Sequence, residues 1–191
     1  IVDNGDQQIP YAKHDKVIIQ KNSNNLGCAA SWNQGINKAL VEDKLDWVLT
    51  LNDDIVLRQD QLFHIKMVME HNSDKWFMIG PAYWSVWAIS KEGAENMSYE
   101  EGKYFDETFW PAYFEDNDFH YRIHQKDSSK YRDAISAMAP ALYRNSMSIE
   151  KDPTLNSTFQ HNANYYKVKW GGYPNMEKWK VPFDEHVPAL T

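Results

Sequence analysis

Positive charge is in short supply. The chain has 20 Lys and Arg against 27 Asp and Glu, a net charge of −7. Binding to a nucleic-acid polymer rests on Lys and Arg neutralising phosphates, so the balance argues against such a partner. A small phosphorylated ligand stays compatible, provided a cation bridges acid and phosphate. Cysteine is almost missing too. Cys28 alone excludes an internal disulfide and a thiolate zinc cage. It lies in a small-residue run, Gly27 to Ser31, which reads as packed rather than nucleophilic. No apolar run approaches the ~20 residues of a membrane helix, and no basic stretch leads into an apolar one as in a signal peptide. These absences predict no membrane span and a cytoplasmic location. Repeats and low-complexity segments are also lacking.

What is present is ordinary in bulk and unusual in detail. At 191 residues, with 42% hydrophobic and 25% charged residues, the chain suits one well-cored domain. Aromatics reach 14%, including 8 Trp and 11 Tyr, and some are expected to line a site, since aromatic faces pack on the C–H faces of sugars. Ile1 to Asp6 reads as a strand end running into an Asn-Gly turn, which carries the expectation of further chain upstream. Lys16 to Gln20 and Trp47 to Leu51 read as strands, and Ala29 to Val41 and Gln59 to Glu70 as helices. Further strands are expected at Trp76 to Ile79, Tyr83 to Ile89 and Ala134 to Leu142, the last broken by Pro140. Helices are expected from Ser90 to Met97 with Ser90 as cap, from about Asp116 to Gln125, and from Asn156 to Lys169. Strands alternating with helices in the first half predict an α/β fold with a mostly parallel, Rossmann-like sheet and a small antiparallel addition. Residues 1–80 would form a nucleotide-binding half and 81–191 an acceptor-binding half.

Two acidic clusters stand out. The apolar run Trp47 to Leu51 ends abruptly in Asn52-Asp53-Asp54. In open α/β sheets ligands bind beyond the carboxyl ends of the strands, and two adjacent carboxylates attract a cation. Oxygen ligands without Cys or His suit Mg²⁺ or Mn²⁺. A solvated turn is the plainer reading of the same residues. In the second cluster, Glu115, Asp116 and Asp118 put three carboxylates into four residues. At a helix start the macrodipole offsets part of their repulsion. They are either helix-favouring acids or a general base placed near a bound hydroxyl. Arg122 would face Asp118 one turn on, as a structural pair. His64, His71, His120, His124 and His161 read as surface residues, with ligation a secondary option for His161.

The order Ile-Val-Asp-Asn-Gly-Asp, Asn-Asn-Leu-Gly-Cys-Ala-Ala-Ser-Trp-Asn-Gln-Gly-Ile, Leu-Asn-Asp-Asp and Phe-Asp-Glu-Thr-Phe-Trp-Pro-Ala-Tyr-Phe-Glu-Asp-Asn-Asp-Phe-His-Tyr-Arg resembles the inverting family 2 glycosyltransferases of GT-A fold. The stretch Tyr165 to Gly172 is similar to the ending of a bacterial and viral subgroup. Rhamnosyl- and glucosyltransferase domains, including those of large chlorella-virus enzymes, are the nearest in pattern, so further domains in a longer protein are part of the expectation.

The resemblance implies a donor of the UDP- or dTDP-sugar type, a glycan acceptor and Mn²⁺ or Mg²⁺. It implies that Asp3 contacts the nucleobase and that Asn24, Gly27 and Asn33 lie beside the nucleoside. Asn52, Asp53 and Asp54 match the Asp-x-Asp position, with Asp54 closest to the metal and Asp53 beside it. Asp116 matches the catalytic base and Glu115 the residue positioning it. Lys169 and Trp170 would approach the diphosphate or the acceptor. Asn52 departs from the pattern, which has an acid there, and the family's first strand and helix have no counterpart. Trp84, Trp87, Trp110 and Tyr113 are candidates for an acceptor platform. Two rival readings use the same residues. One is a two-carboxylate hydrolase built on Asp54 and Asp116, and the other a sugar-binding module built on the tryptophans.

Overall fold

The computed structural model describes residues 1–5, 13–134, 142–143 and 155–184. It is a mixed α/β fold. In order come β1 (Val2–Asp3), β2 (Gln20–Lys21), α1 (Cys28–Ile36, continuing as a π-helical turn to Glu42), β3 (Trp47–Leu51), β4 (Ile55–Val56) and α2 (Gln59–His71). There follow β5 (Phe77–Gly80), β6 (Tyr83–Ser90), α3 (Lys91–Met97), α4 (Glu115–Asp127), β7 (Tyr131–Asp133), β8 (Leu142–Tyr143) and α5 (Leu155–Trp170). Most of the strand expected at Ala134 to Leu142 lies outside the described residues.

The main sheet has the order β3-β6-β5-β7. Its pairing departs from the mostly parallel expectation. β3 and β6 are antiparallel, β6 and β5 are antiparallel, and only β5 and β7 run parallel. The reason is local: only Pro81 and Ala82 separate β5 from β6. So short a link makes a hairpin, because a parallel return needs a crossover of a dozen or more residues. Parallel pairing does occur between β1 and β2, which form a separate two-stranded sheet, and β4 pairs antiparallel with β8 in another. The strand expected at Lys16 to Gln20 is confined to its end, at Gln20–Lys21.

β5 is buried along its whole length, and Phe77 packs against Trp84, Trp87, Phe119 and Tyr131. Phe105 stacks on Phe119 with ring centres 4.5 Å apart, which seats α4 on the sheet. A second cluster, Phe109, Phe114, Ala163, Tyr166 and Trp170, fixes α5 against α4 and the loop before it. Ser90 caps α3 as its sequence predicts, its hydroxyl accepting from the Gly93 amide at 3.0 Å. Among the described residues no helix is long and apolar enough to cross a membrane.

Candidate functional site

The loop before α4 lies against the first turn of α1. Gly27 precedes this helix at φ +86°, and a Cβ there would lie 2.8 Å from the Pro111 carbonyl oxygen, so both backbone and space demand glycine. The next residue, Cys28, donates its amide to that same carbonyl at 2.8 Å. The loop ending at Phe114 is thereby tied to the α1 N-terminus, and Trp110 Nε1 adds a bond to the Asn25 carbonyl at 3.2 Å. The loop is held from the other side by Asn162 on α5. Its fully buried amide nitrogen faces the carbonyls of Trp110, Ala112 and Tyr113 at 3.3, 2.8 and 3.4 Å. Tyr113 and Phe114 both take left-handed conformations, at φ +80° and +74°. Non-glycine residues in that region cost free energy and concentrate at functional sites. They turn the chain so that α4 begins with Glu115 and Asp116.

Glu115 is 5% exposed. One of its carboxylate oxygens, Oε2, is buried without a hydrogen-bond partner. Burial raises its pKa well above the ordinary value, and the neighbouring Asp116 charge raises it further. Asp116 is half-buried, accepts from the Asn117 amide at 2.8 Å, and is also shifted upward by burial. At the end of β3, Asn52 donates its amide to the Ser85 carbonyl at 3.0 Å and its side chain to Ser85 Oγ at 3.3 Å. Asp53 is exposed and Asp54 half-buried. Asp54 Oδ1 is again a buried acceptor with no partner, and burial followed by the Asp53 charge raises its pKa.

Charges from both clusters act on one thiol. The Cys28 thiol is pushed up to about 12, first by burial and then by the charges of Glu115, Asp116 and Asp53. Three carboxylates from two distant turns therefore lie within electrostatic reach of a single sulfur. No side chain caps α1, and its uncapped N-terminus offsets part of their mutual repulsion.

No family model, characterised protein or solved structure matches this chain. The geometry alone therefore decides among the expected residues. Asp3 closes β1, is 6% exposed, and leaves Oδ2 buried without a partner while Oδ1 accepts from the Gly5 amide at 3.0 Å. Asn24 is exposed in the turn before α1. Trp110 is half exposed and Tyr113 half-buried beside the acidic clusters. His161 is exposed on α5.

Four expectations are corrected. Asn33 donates to the Phe105 carbonyl and to Glu107 Oε1, and accepts from the Tyr104 and Phe105 amides. Its amide capacity is spent, so it cannot touch a nucleoside. Trp87 is fully buried and so closed to an acceptor, whereas Trp84 is half-buried with its ring against Phe77. Lys169 is 6% exposed and lies 2.7 Å from Asp106 and 2.6 Å from Asp118, which neutralise it. Trp170 is 1% exposed and donates its indole N–H to Asp118 at 2.9 Å. Both belong to the floor under α4 rather than to a diphosphate site.

The sequence reading missed Asn162 and the part the Cys28 amide plays in tying α1 to the loop before α4. A usable sign for Asn162 existed. It lies on the α5 face shared with Tyr166, Lys169 and Trp170, where a polar residue needs a partner.

Glu115 gives a test of the site's electrostatics. Its folded-state pKa is raised, so its contribution to stability is present below the unfolded value and lost as pH rises through the folded value. Glu115→Gln is therefore expected to raise the melting temperature at pH 7 and to leave it unchanged at pH 4. Thermal unfolding across that range checks it. Equal effects at both values would show that Glu115 carries no burden of charge.

Proposed function

We propose that the protein is an inverting glycosyltransferase of GT-A type. It would move a glucose- or rhamnose-type hexosyl or deoxyhexosyl group from a UDP- or dTDP-sugar to a hydroxyl of a glycan acceptor, in the cytoplasm. The observation that carries the reading is that the loop leading into Glu115 and Asp116 is tied to the start of α1 by the Cys28 amide and the Pro111 carbonyl at 2.8 Å, with a buried, unpartnered carboxylate oxygen on Glu115. Buried acceptor oxygens on Asp3 and Asp54 also lack hydrogen-bond partners.

An alcohol is a poor nucleophile at neutral pH, so its proton must pass to a base as the new bond forms. Asp116 suits this task. It is more accessible than Glu115, and its raised pKa brings it closer to working pH, where a general base is most effective. Glu115 stands behind it, more deeply buried, and burial together with the Asp116 charge favours its protonated form. Inversion follows if the acceptor attacks from the face opposite the departing nucleoside diphosphate, with oxocarbenium character at the sugar as in glycoside hydrolysis.

A divalent cation fits the donor set, because Asp54 and Asp53 offer oxygen ligands and one of those oxygens is buried without a partner. Among the described residues no group of three His, Cys, Asp or Glu side chains could hold an ion alone. Mg²⁺ and Mn²⁺ sites often complete their shells with substrate phosphates and water. Bound there, the ion would supply Lewis-acid stabilisation to the leaving diphosphate. Asp3 Oδ2, buried without a partner, would accept from a donor group such as the imide N–H of uracil or thymine.

A thermal-shift screen of UDP-, dTDP- and GDP-sugars with and without Mn²⁺ tests the reading. The expected result is stabilisation by a UDP- or dTDP-sugar only when Mn²⁺ is present, and its loss in Asp54→Ala. Nucleotide-independent hydrolysis of a glycan would favour a hydrolase. Mn²⁺-dependent binding that survives in Asp54→Ala would remove Asp54 from the site.

A further inference from the structure

A cavity of about 320 Å³ lies between the turn after α3, α4, α5 and residues 182–183. Its lining includes neither acidic cluster of the candidate site. Its floor is a closed ionic network. Arg122 donates through Nε to Asp118 at 2.8 Å, through one terminal nitrogen to the Met97 carbonyl and through the other to the Tyr104 carbonyl. Lys169 is shared between Asp106 and Asp118. Lys103 is paired with Glu100 at 2.7 Å. Each basic group lining the cavity thus has its own carboxylate, which leaves little attraction for an anion.

Glu107 differs from these acids. Its Oε1 accepts from Asn33 at 2.9 Å, and among the described residues Oε2 has no hydrogen-bond partner. The walls are aromatic and held still. Tyr99 donates its hydroxyl to the Phe105 carbonyl at 2.8 Å, Tyr165 donates to Asp106 at 2.9 Å, and Phe183 packs 6.0 Å from the Tyr165 ring. Aromatic faces with one fixed hydrogen-bond acceptor suit an apolar-faced ligand rich in hydroxyl donors. The volume sits at the small end of ligand pockets, about 300–1,000 Å³, which fits a single ring better than a nucleotide.

We infer that this cavity binds one uncharged sugar ring, a residue of the glycan acceptor set back from the one whose hydroxyl reacts. The acceptor role rests on the transferase reading, whereas the sugar-binding cavity does not. Glu107 would receive hydroxyl hydrogens from the ring while Tyr99, Tyr165 and Phe183 cover its C–H faces. Asn33, bonded to Glu107 from α1, links this cavity to the helix that begins at the acidic site.

Saturation-transfer NMR on the whole chain tests the inference. The probes are methyl β-D-glucopyranoside and methyl α-L-rhamnopyranoside, with inorganic phosphate and tetramethylammonium as charged comparisons. Transfer to ring protons of at least one glycoside is expected, with affinity weakened about tenfold in Glu107→Gln and in Tyr99→Ala. Melting temperatures near the parent's would show that both variants stay folded. Glycoside binding unaffected by either variant, or binding of only a charged probe, overturns the inference, and so does the absence of any transfer. UDP with Mn²⁺ is titrated into the same samples. Nucleotide binding without glycoside binding removes the cavity and leaves the transferase reading standing. Glycoside binding without nucleotide binding removes the acceptor role and the transferase reading with it.

Discussion

Asp116→Asn should abolish sugar transfer while leaving the protein folded and able to bind donor. The amide keeps the size and the acceptor oxygen that meets the Asn117 amide, but it cannot take a proton. Removing a general base costs about 10²–10⁴-fold in rate, and that is the loss expected in kcat. Donor affinity, read by calorimetry with UDP and Mn²⁺, should change by no more than about twofold. The pH profile gives a sharper check. In the parent, activity should rise as Asp116 loses its proton, at a pH above the usual carboxylate range because burial lifts its pKa. That ascending limb should vanish from the residual activity of the variant. Lost donor binding with turnover retained would show that Asp116 belongs to the donor site instead.

The largest effect on stability is expected at Asp118. This carboxylate is fully buried and receives Arg122, Lys169 and the Trp170 indole. Asp118→Ala leaves two cations facing a position that water cannot reach. Breaking a buried ion pair from one side costs about 3–5 kcal/mol, against a typical total of about 5–15 kcal/mol for a folded domain. Chemical denaturation should therefore show a midpoint lowered by a large fraction of its parent value. Asp118→Asn should lose less, because the amide oxygen can still accept from Trp170. A loss below about 1 kcal/mol in Asp118→Ala would mean that the network relaxes onto Asp106 without penalty.

The two acidic turns were legible because their signals are local. Trp47 to Leu51 is apolar and stops at Asn52, and a strand ends there. Glu115 and Asp116 do open a helix, as their crowding suggests. What could not be read depends on partners far away in sequence. Lys169 and Trp170 looked available for ligand because nothing near them in the chain reveals Asp118, 51 and 52 residues earlier. Trp87 of β6 misled for a related reason. Composition counts aromatic rings but does not say which face of the strand is covered, and Phe77, Phe105 and Phe119 cover the face holding Trp84 and Trp87. Two errors had readable signs. Asn33 falls at helical spacing between the buried Ala29 and Ile36, so its amide was bound to be spent inside. The two residues between β5 and β6 already ruled out a parallel crossover.

Cys28 has a practical consequence at the bench. With its thiol held near 12, almost no thiolate exists at neutral pH, and alkylating reagents act on the thiolate. It is the sole cysteine of the chain. A fluorophore or spin label can therefore be attached to a cysteine introduced on the surface without first deleting the native one. Distance measurements in solution are then open to the parent sequence plus a single substitution.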